Sequence, residues 1–454
     1  MNSNVDILHG NLFKGIFLFS MPLVFSNLLQ VLFNLSDIAV VGKFAGAEAL
    51  GSVGSTSILT ALFISFLIGL STGANVYGAR YLGKKDDTNI KRNMFNSFIV
   101  MLSFGLLITI GGEILTKKLL LILNTKDELI DGALAYLRIF LLGMPSLALF
   151  DFGNALYSSD GQTKKPLQFM SLSGIINVCL NLYFVIVLKM SVVGVALASV
   201  ISQWLSATMI LVSLSRCDKS YRLNLNIRYF DSNNIKEILQ IGLFTGLQNV
   251  VFYFANLFVQ KAVNSFSAVV VEGNSAATNA DNLIYDMMAA FYTACTTFMS
   301  QAYGAKDIKR VKNAYLVSLM YSFLIGEGVG VLLAVFGKQF LFLFANDKQV
   351  IEAGMDRLKI MGYSYGFSAF MDCTIAASRG LGHTKVPTFI VIMGSCVFRI
   401  IWLYTVFAYF KTISSIYLLY IFSWTITALF EIIYFTRIYS KAIRSLSDNN
   451  ISAC

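Results

Sequence analysis

The sequence predicts an all-α membrane protein with twelve transmembrane helices in two pseudo-twofold-related six-helix bundles. Three observations predict it. The 454 residues are 56% hydrophobic and only 13% charged, about half the charge of an average soluble domain, which leaves too little polar surface to coat a soluble globule. The apolar residues fall in runs long enough to cross a bilayer, which takes about 20 residues. The two halves of the chain also repeat one another.

The spans are read between charges. Eight windows of at least ~19 residues contain no Asp, Glu, Lys or Arg: 15–36, 49–79, 93–112, 166–188, 190–215, 238–260, 287–305 and 412–430. Four more carry a single charge: 139–159 with Asp151, 313–337 with Glu327, 360–378 with Asp372 and 386–410 with Arg399. The net charge of +10 follows the topology of such a chain and does not point to a nucleic-acid partner. With the N-terminus placed in the cytoplasm, the even-numbered connections and both termini hold 22 Lys and Arg, against nine in the odd connections. That is the positive-inside bias. It predicts a multi-pass protein of the plasma (inner) membrane with both termini cytoplasmic. The first apolar run follows MNSNVDILHGNLFK without a small-residue cleavage site and is expected to be retained as a helix.

The longest strongly polar stretch, 215–236, divides the chain. Residues 1–214 are expected to form an N-terminal six-helix bundle, 215–236 a cytoplasmic linker, 237–438 a C-terminal six-helix bundle and 439–454 a cytoplasmic tail. A constant shift of 221 residues aligns Gly83, Lys85, Asp86 and Lys91 with Gly304, Lys306, Asp307 and Lys312. In the same register Asp151 meets Asp372, and Gly161, Thr163, Lys164 and Pro166 meet Gly382, Thr384, Lys385 and Pro387. Six spans per half is an even number, so the halves are parallel repeats, a design that places a substrate cleft between them.

Polar residues inside the spans are the candidate functional groups, because a charge at a helix centre costs about 2.5–3.5 kcal/mol on insertion scales. In span 1, Asn27, Gln30, Asn34 and Asp37 share one helical face, after a Pro22 able to bend the helix. Asn177 and Asn181 lie one turn apart in span 5, Ser199 lies in span 6, and Ser71, Thr72 and Asn75 lie in span 2. One carboxylate among amide and hydroxyl oxygens suits a hard cation such as Na⁺, here held by Asp37, Asn177 and Asn181. It suits equally a carboxyl that exchanges a proton, and interhelical polar packing is the plainer alternative. Asp151 and Asp372 occupy equivalent places in spans 4 and 10, with Pro145 and Gly366 before them where the helices are expected to kink. They read either as cleft contacts or, for Asp372, as the partner of Arg399. Asp281 and Asp286 belong to a polar set in span 8. Glu327 and Glu431 are isolated and expected near span ends or against a cation.

Several classes are excluded. Only two His are present, His9 and His383, and the six Cys lack paired spacing, so a His-based catalytic centre, a zinc site and a disulfide framework are not expected. No Walker-type phosphate loop appears. The chain is therefore expected to be no enzyme, to hold no cofactor beyond a transported H⁺ or Na⁺, and to act as a monomer on small molecules in the lipid bilayer.

The segments MPLVFSNLLQVLFNLSDIAVVGKFAG (21–46), SQAYGAKD (300–307), SRGLGHTKVP (378–387) and SCVFRIIWLYTVF (395–407) resemble the multidrug and toxic compound extrusion (MATE) family of prokaryotic type. The resemblance implies two six-helix bundles with a central cleft and cation-coupled export of drugs and other small, mostly cationic lipophilic compounds by alternating access. It implies that Asp37 couples ion binding to export, joined by Asn177, Asn181 and Ser199. Asn27, Gln30, Asn34, Asp151, Asp372, Asp281 and Asp286 are the residues expected at the substrate cleft. The sequence departs from the family pattern in having Asn181 where Asp is frequent, Ser158 where Arg is usual, and no acid within 238–260. Asp372 sits about one turn from the span 10 Asp of the sodium-driven branch. A lipid-linked oligosaccharide or polysaccharide flippase is the alternative from the same superfamily, but it calls for a strongly cationic cleft, and Arg399 is the main central cation here. A membrane enzyme lacks its clustered residues, and a receptor leaves the duplicated halves unexplained.

Overall fold

A computed structural model describes residues 5–123 and 125–451, with side chains through 444. The last three residues of the expected tail, among them Cys454, lie outside the described residues, as do residues 1–4 of the N-terminal segment. Every regular element among the described residues is helical. The helices are α1 (Leu12–Phe44), α2 (Ala47–Lys84), α3 (Asp87–Ile122), α4 (Asp127–Leu141), α5 (Met144–Ser159), α6 (Lys164–Leu182), α7 (Ser191–Ser215), α8 (Ser232–Val263), α9 (Ala268–Gly304), α10 (Ile308–Leu341), α11 (Lys348–Gly362), α12 (Tyr365–Gly380), α13 (Lys385–Val391), α14 (Phe398–Trp402), α15 (Ala408–Phe410) and α16 (Ile413–Ile451). Single π-helical turns extend α6 (Tyr183–Val187) and join α13 to α14 (Ile392–Val397) and α14 to α15 (Leu403–Phe407).

The twelve expected spans map onto these elements in order. Among the described residues nine helices are long and apolar enough to cross a membrane, and the α4–α5 pair, bent by 43°, makes a tenth. The other two expected spans are α9 and the α11–α12 pair, whose polar residues keep them below that measure. The breaks inside spans 4 and 10 fall where Pro145 and Gly366 suggested. Pro145 enters the first turn of α5, where its missing N–H removes no helical bond, and α12 begins one residue before Gly366.

Backbone detail repeats with the sequence. Lys85 and Lys306 are both left-handed, at φ 56° and 59°. The following Asp86 and Asp307 each cap the next helix through the N–H three residues on, Asn89 at 3.1 Å and Arg310 at 2.9 Å. Gly161 and Gly382 take positive φ at equivalent turns, 78° and 89°, where a side chain would be strained.

By packing, Phe25–Leu247 forms one compact unit, and Val5–Val24 with the residues from Gln248 onward forms the other. The ends of α1 and α8 therefore belong to different units, a division distinct from that of the sequence repeat. In the first unit α2 meets α8 along facing glycines. A Cβ on Gly73 would lie 2.2 Å from Ile238 O, one on Gly242 would lie 2.3 Å from Leu70 O, and one on Gly69 would lie 2.5 Å from Gly246 Cα. Small residues allow such close backbone approach between membrane helices.

The polar stretch after α7 is tied to this same unit. Tyr221 is buried; its hydroxyl donates to Asp160 at 2.9 Å and accepts from Gln162 Nε2 at 2.8 Å. Burial, followed by the Asp160 charge, pushes its phenol above the ordinary range, so it remains a donor. Asp231 pairs with Arg92 at 3.2 Å and accepts the Asn233 N–H at 2.9 Å, which starts α8 at Ser232.

Candidate functional site

The second half of α1 lies against α6. Phe33 fills the space beside Gly174, where any Cβ would overlap its ring, and one turn on, the same face brings Asp37 to α6 and α7. Asn181 Nδ2 donates to Asp37 Oδ1 and, at 3.3 Å, to Asn177 Oδ1. Asn177 Nδ2 reaches Ser199 Oγ at 3.5 Å, and the Ser199 hydroxyl points to Asp37 Oδ2 at 3.5 Å. The four side chains close a ring across three helices. Asn177, Asn181 and Ser199 are buried and Asp37 is half-buried. Asn181 Oδ1 is buried without a hydrogen-bond partner among the described residues. Tyr136 on α4 lies within electrostatic reach of Asp37.

This arrangement can take up a cation. It offers a carboxylate, two amide oxygens and a hydroxyl, the hard-oxygen set that alkali and alkaline-earth ions prefer. The orphan carbonyl of Asn181 is the group that gains most from a positive ligand, since a buried acceptor left unsatisfied costs about 1–3 kcal/mol. A proton on Asp37 would reorganise the same ring, because the carboxyl then becomes a donor. The π-helical turn that extends α6 begins two residues after Asn181, and such turns are frequent at functional sites.

The other first-unit residues stand apart from the ring. Asn27 is half-buried, and Gln30 and Asn34 are exposed. Asn75 donates to Ala155 O at 3.2 Å, while Ser71 and Thr72 turn back onto their own helix. Asp151 is half-buried on α5.

In the second unit the expected acids separate by partner. Asp281 is committed to a buried network. Arg357 reaches it through Nε at 2.8 Å and Nη2 at 2.5 Å, and donates from Nη1 to Asn274 at 2.7 Å. Tyr365 donates to the same carboxylate, and Tyr417 and Tyr420 flank the guanidinium at 5.3 and 5.4 Å. Arg357 carried no signal in the sequence beyond a charge at a span edge. Asp286 is half-buried on the same helix. Asp372 is buried and accepts from Ser368 Oγ at 3.0 Å. The Asp372–Arg399 ion pair is not formed. Arg399 instead donates to Asn256 at 2.8 Å and Ser423 at 3.4 Å and stacks on Tyr420 at 4.6 Å. Glu327 accepts the Gly366 N–H at 3.1 Å, so it closes the start of α12, where a negative charge is favoured. Glu431 is not near a span end: it lies inside α16, fully buried.

Among the described residues no three His, Cys, Asp or Glu side chains gather as a metal site. Cys179, Cys217, Cys295, Cys373 and Cys396 are free thiols.

Comparison with known proteins is consistent across sequence and fold. Residues 22–183 and 245–405 match the family model described as MatE. The "Probable multidrug resistance protein YpnP" of Bacillus subtilis (strain 168) is 29% identical over 363 residues, spanning 80% of this chain and 81% of that protein. The "Probable multidrug resistance protein NorM" of Thermotoga maritima is 23% identical over 403 residues, spanning 88% of this chain and 86% of that protein. A crystal structure described as MATE in the bent conformation superposes with a TM-score of 0.90 at 22% identity, covering 98% of this chain and 99% of the other.

Proposed function

The chain belongs to the MatE family of multidrug efflux transporters, and from that premise we propose that it is a cation-coupled antiporter. It exports drugs and other small, mostly cationic lipophilic compounds by alternating access, in exchange for H⁺ or Na⁺. The members of this family are transporters and not enzymes, and the chain is a multi-pass membrane protein. Its proposed setting is the inner membrane with both termini cytoplasmic, which the 22-to-nine distribution of Lys and Arg supports. It is proposed to work as a monomer.

The observation that carries the reading is the ring at Asp37. A carboxylate held by Asn181 and Ser199 between apolar helices, beside an amide oxygen with no partner, is a place where an incoming cation changes the hydrogen bonding of α1, α6 and α7 at once. Cation entry neutralises Asp37, rearranges α1 and disfavours bound drug. A potential of ~150 mV acting on one charge is worth about 3.5 kcal/mol, enough for roughly a 300-fold gradient of exported compound. Asp151, Asp286 and Asp372 remain proposed substrate contacts, whereas the carboxylate of Asp281 is taken up by Arg357.

The test is dye efflux from proteoliposomes under imposed H⁺ or Na⁺ gradients. Asp37→Asn is expected to abolish gradient-driven efflux while leaving the protein folded. Undiminished, gradient-dependent efflux by that variant removes Asp37 from the mechanism. Translocation of a lipid-linked oligosaccharide in preference to the dye would favour the flippase reading.

A further inference from the structure

Glu431 stands in the interior of α16, inside the span Ile413–Arg444. Its side chain is fully buried, and neither carboxyl oxygen has a hydrogen-bond partner among the described residues. It takes part in none of the ion pairs among the described residues. The charged groups that act on it are Arg379 and Asp372, both on α12, the helix packed most closely along α16. Arg379 is engaged elsewhere, donating from Nη2 to Gln248 Oε1 at 3.0 Å. Asp372 is held by Ser368.

Among the described residues, the cations that α11 and α14 turn toward α16 lie away from Glu431. Arg357 of α11 faces Tyr417 and Tyr420, and Arg399 of α14 faces Tyr420 and Ser423, at least two turns from Glu431. Before the π-helical turn's end, Ser395 shares a hydrogen bond with Thr427 at 2.9 Å. Tyr315 of α10 packs at a tilt against Phe435, one turn on, and shares a hydrogen bond with Thr374. Tyr434 of α16 lies within electrostatic reach of Glu431.

A carboxylate stripped of water, without a donor or an ion-pair partner, is strongly disfavoured. A metal ion needs several oxygen ligands, and no acidic cluster gathers at this place. The neutral acid is the less costly form in these surroundings.

We propose that Glu431 is a protonation site of the second unit: it carries a proton at neutral pH, and loss of that proton to water draws the Arg379 guanidinium from Gln248 toward the new carboxylate. The only covalent bond broken is the acid O–H, and Arg379 supplies the balancing charge. Gln248 opens the part of α8 that belongs to the second unit, so the exchange ties the titration of α16 to the seating of that helix. Nothing in this depends on the ring at Asp37, and it stands or falls apart from the efflux reading.

The test is infrared spectroscopy of the full-length protein in nanodiscs. At neutral pH the protonated-carboxyl C=O band should lose a component in Glu431→Gln, and Glu431→Asp, which keeps an acid on a shorter arm, should shift that component. An unaltered band in both variants means Glu431 is ionised and overturns the proposal. Gln248→Ala removes the acceptor that competes for Arg379. It should lower the pH at which the Glu431 component disappears, and an unchanged midpoint overturns the link to Arg379. Added NaCl at fixed pH should leave the component in place; its loss would show a cation displacing the proton and refute a proton site.

Discussion

Replacing Asn181 by Ala separates the two ions the ring at Asp37 is suited to bind. The variant removes a fully buried carboxamide that donates to Asp37 and to Asn177 and whose own oxygen is unsatisfied. A hydrogen bond to a charged group contributes about 1.5–3 kcal/mol, or roughly 10- to 150-fold in the concentration of a ligand that competes with or depends on it. The sign depends on the ion. The Asn181 N–H stabilises the ionised Asp37 and so competes with a proton. If H⁺ drives efflux, Asn181→Ala should reach half-maximal activity at roughly 10- to 150-fold lower proton concentration, an alkaline displacement of about one to two pH units. If Na⁺ drives it, the lost amide oxygen is a ligand, and half-activation should need more Na⁺ by a similar factor. The assay is initial dye efflux from proteoliposomes as a function of each ion at constant membrane potential. Unchanged half-activation for both ions, in a variant that folds and transports, would refute the reasoning that this bond sets the ion affinity.

The remaining expectations concern the scaffold. Gly73→Leu and Gly242→Leu place side chains against Ile238 O and Leu70 O, at Cβ distances of 2.2 and 2.3 Å. Each should lower thermal stability by at least about 1–3 kcal/mol, whereas Gly54→Ala, with nothing within 4 Å, should leave the melting temperature unchanged. Arg357→Gln strands Asp281 in its buried network and should destabilise by about 3–5 kcal/mol; adding Asp281→Asn should restore part of it in the same thermal assay. The carboxyl of Asp86 is held below its ordinary value of 3.8, chiefly by the Asn89 backbone N–H. Its stabilising contribution is thus present above that value and lost as pH falls through the lowered one. Asp86→Ala should cost about 1 kcal/mol at neutral pH, and Asp86→Asn should keep the cap and remove its pH dependence, as read by melting between acid and neutral buffers.

The parts of this molecule legible in the sequence are those where hydrocarbon makes polarity conspicuous. The duplicated turns at Lys85–Asp86 and Lys306–Asp307 could be found because Gly, Lys and Asp recur at one spacing, and the left-handed lysines and capping aspartates follow from that local chemistry. Helical spacing puts Asp37 on one face of span 1 and Asn177 with Asn181 on one face of span 5, and it is the family resemblance that implies their joining with Ser199. The same polar chemistry points to span 2 as well, yet Asn75 turns to Ala155 O. Helical spacing tells which residues share a face; it does not say which neighbour that face meets.

The two lone glutamates show where this limit lies. Glu327 and Glu431 are each the single acid of an otherwise apolar run, and nothing in their local sequence separates them. Glu327 is matched because α11 and α12 are broken beside it, leaving the Gly366 N–H without a carbonyl in its own helix. Glu431 faces the unbroken body of α12, where the backbone donors are already used, and the nearby Arg379 is turned toward Gln248. An acid beside a helix break can therefore serve as a structural cap, whereas the same acid beside a continuous helix meets no free backbone donor. The break was foreshadowed by Gly366 and its counterpart Pro145. The pairing of each glutamate with a broken or an unbroken neighbour is a property of tertiary packing, which spacing along one helix does not carry.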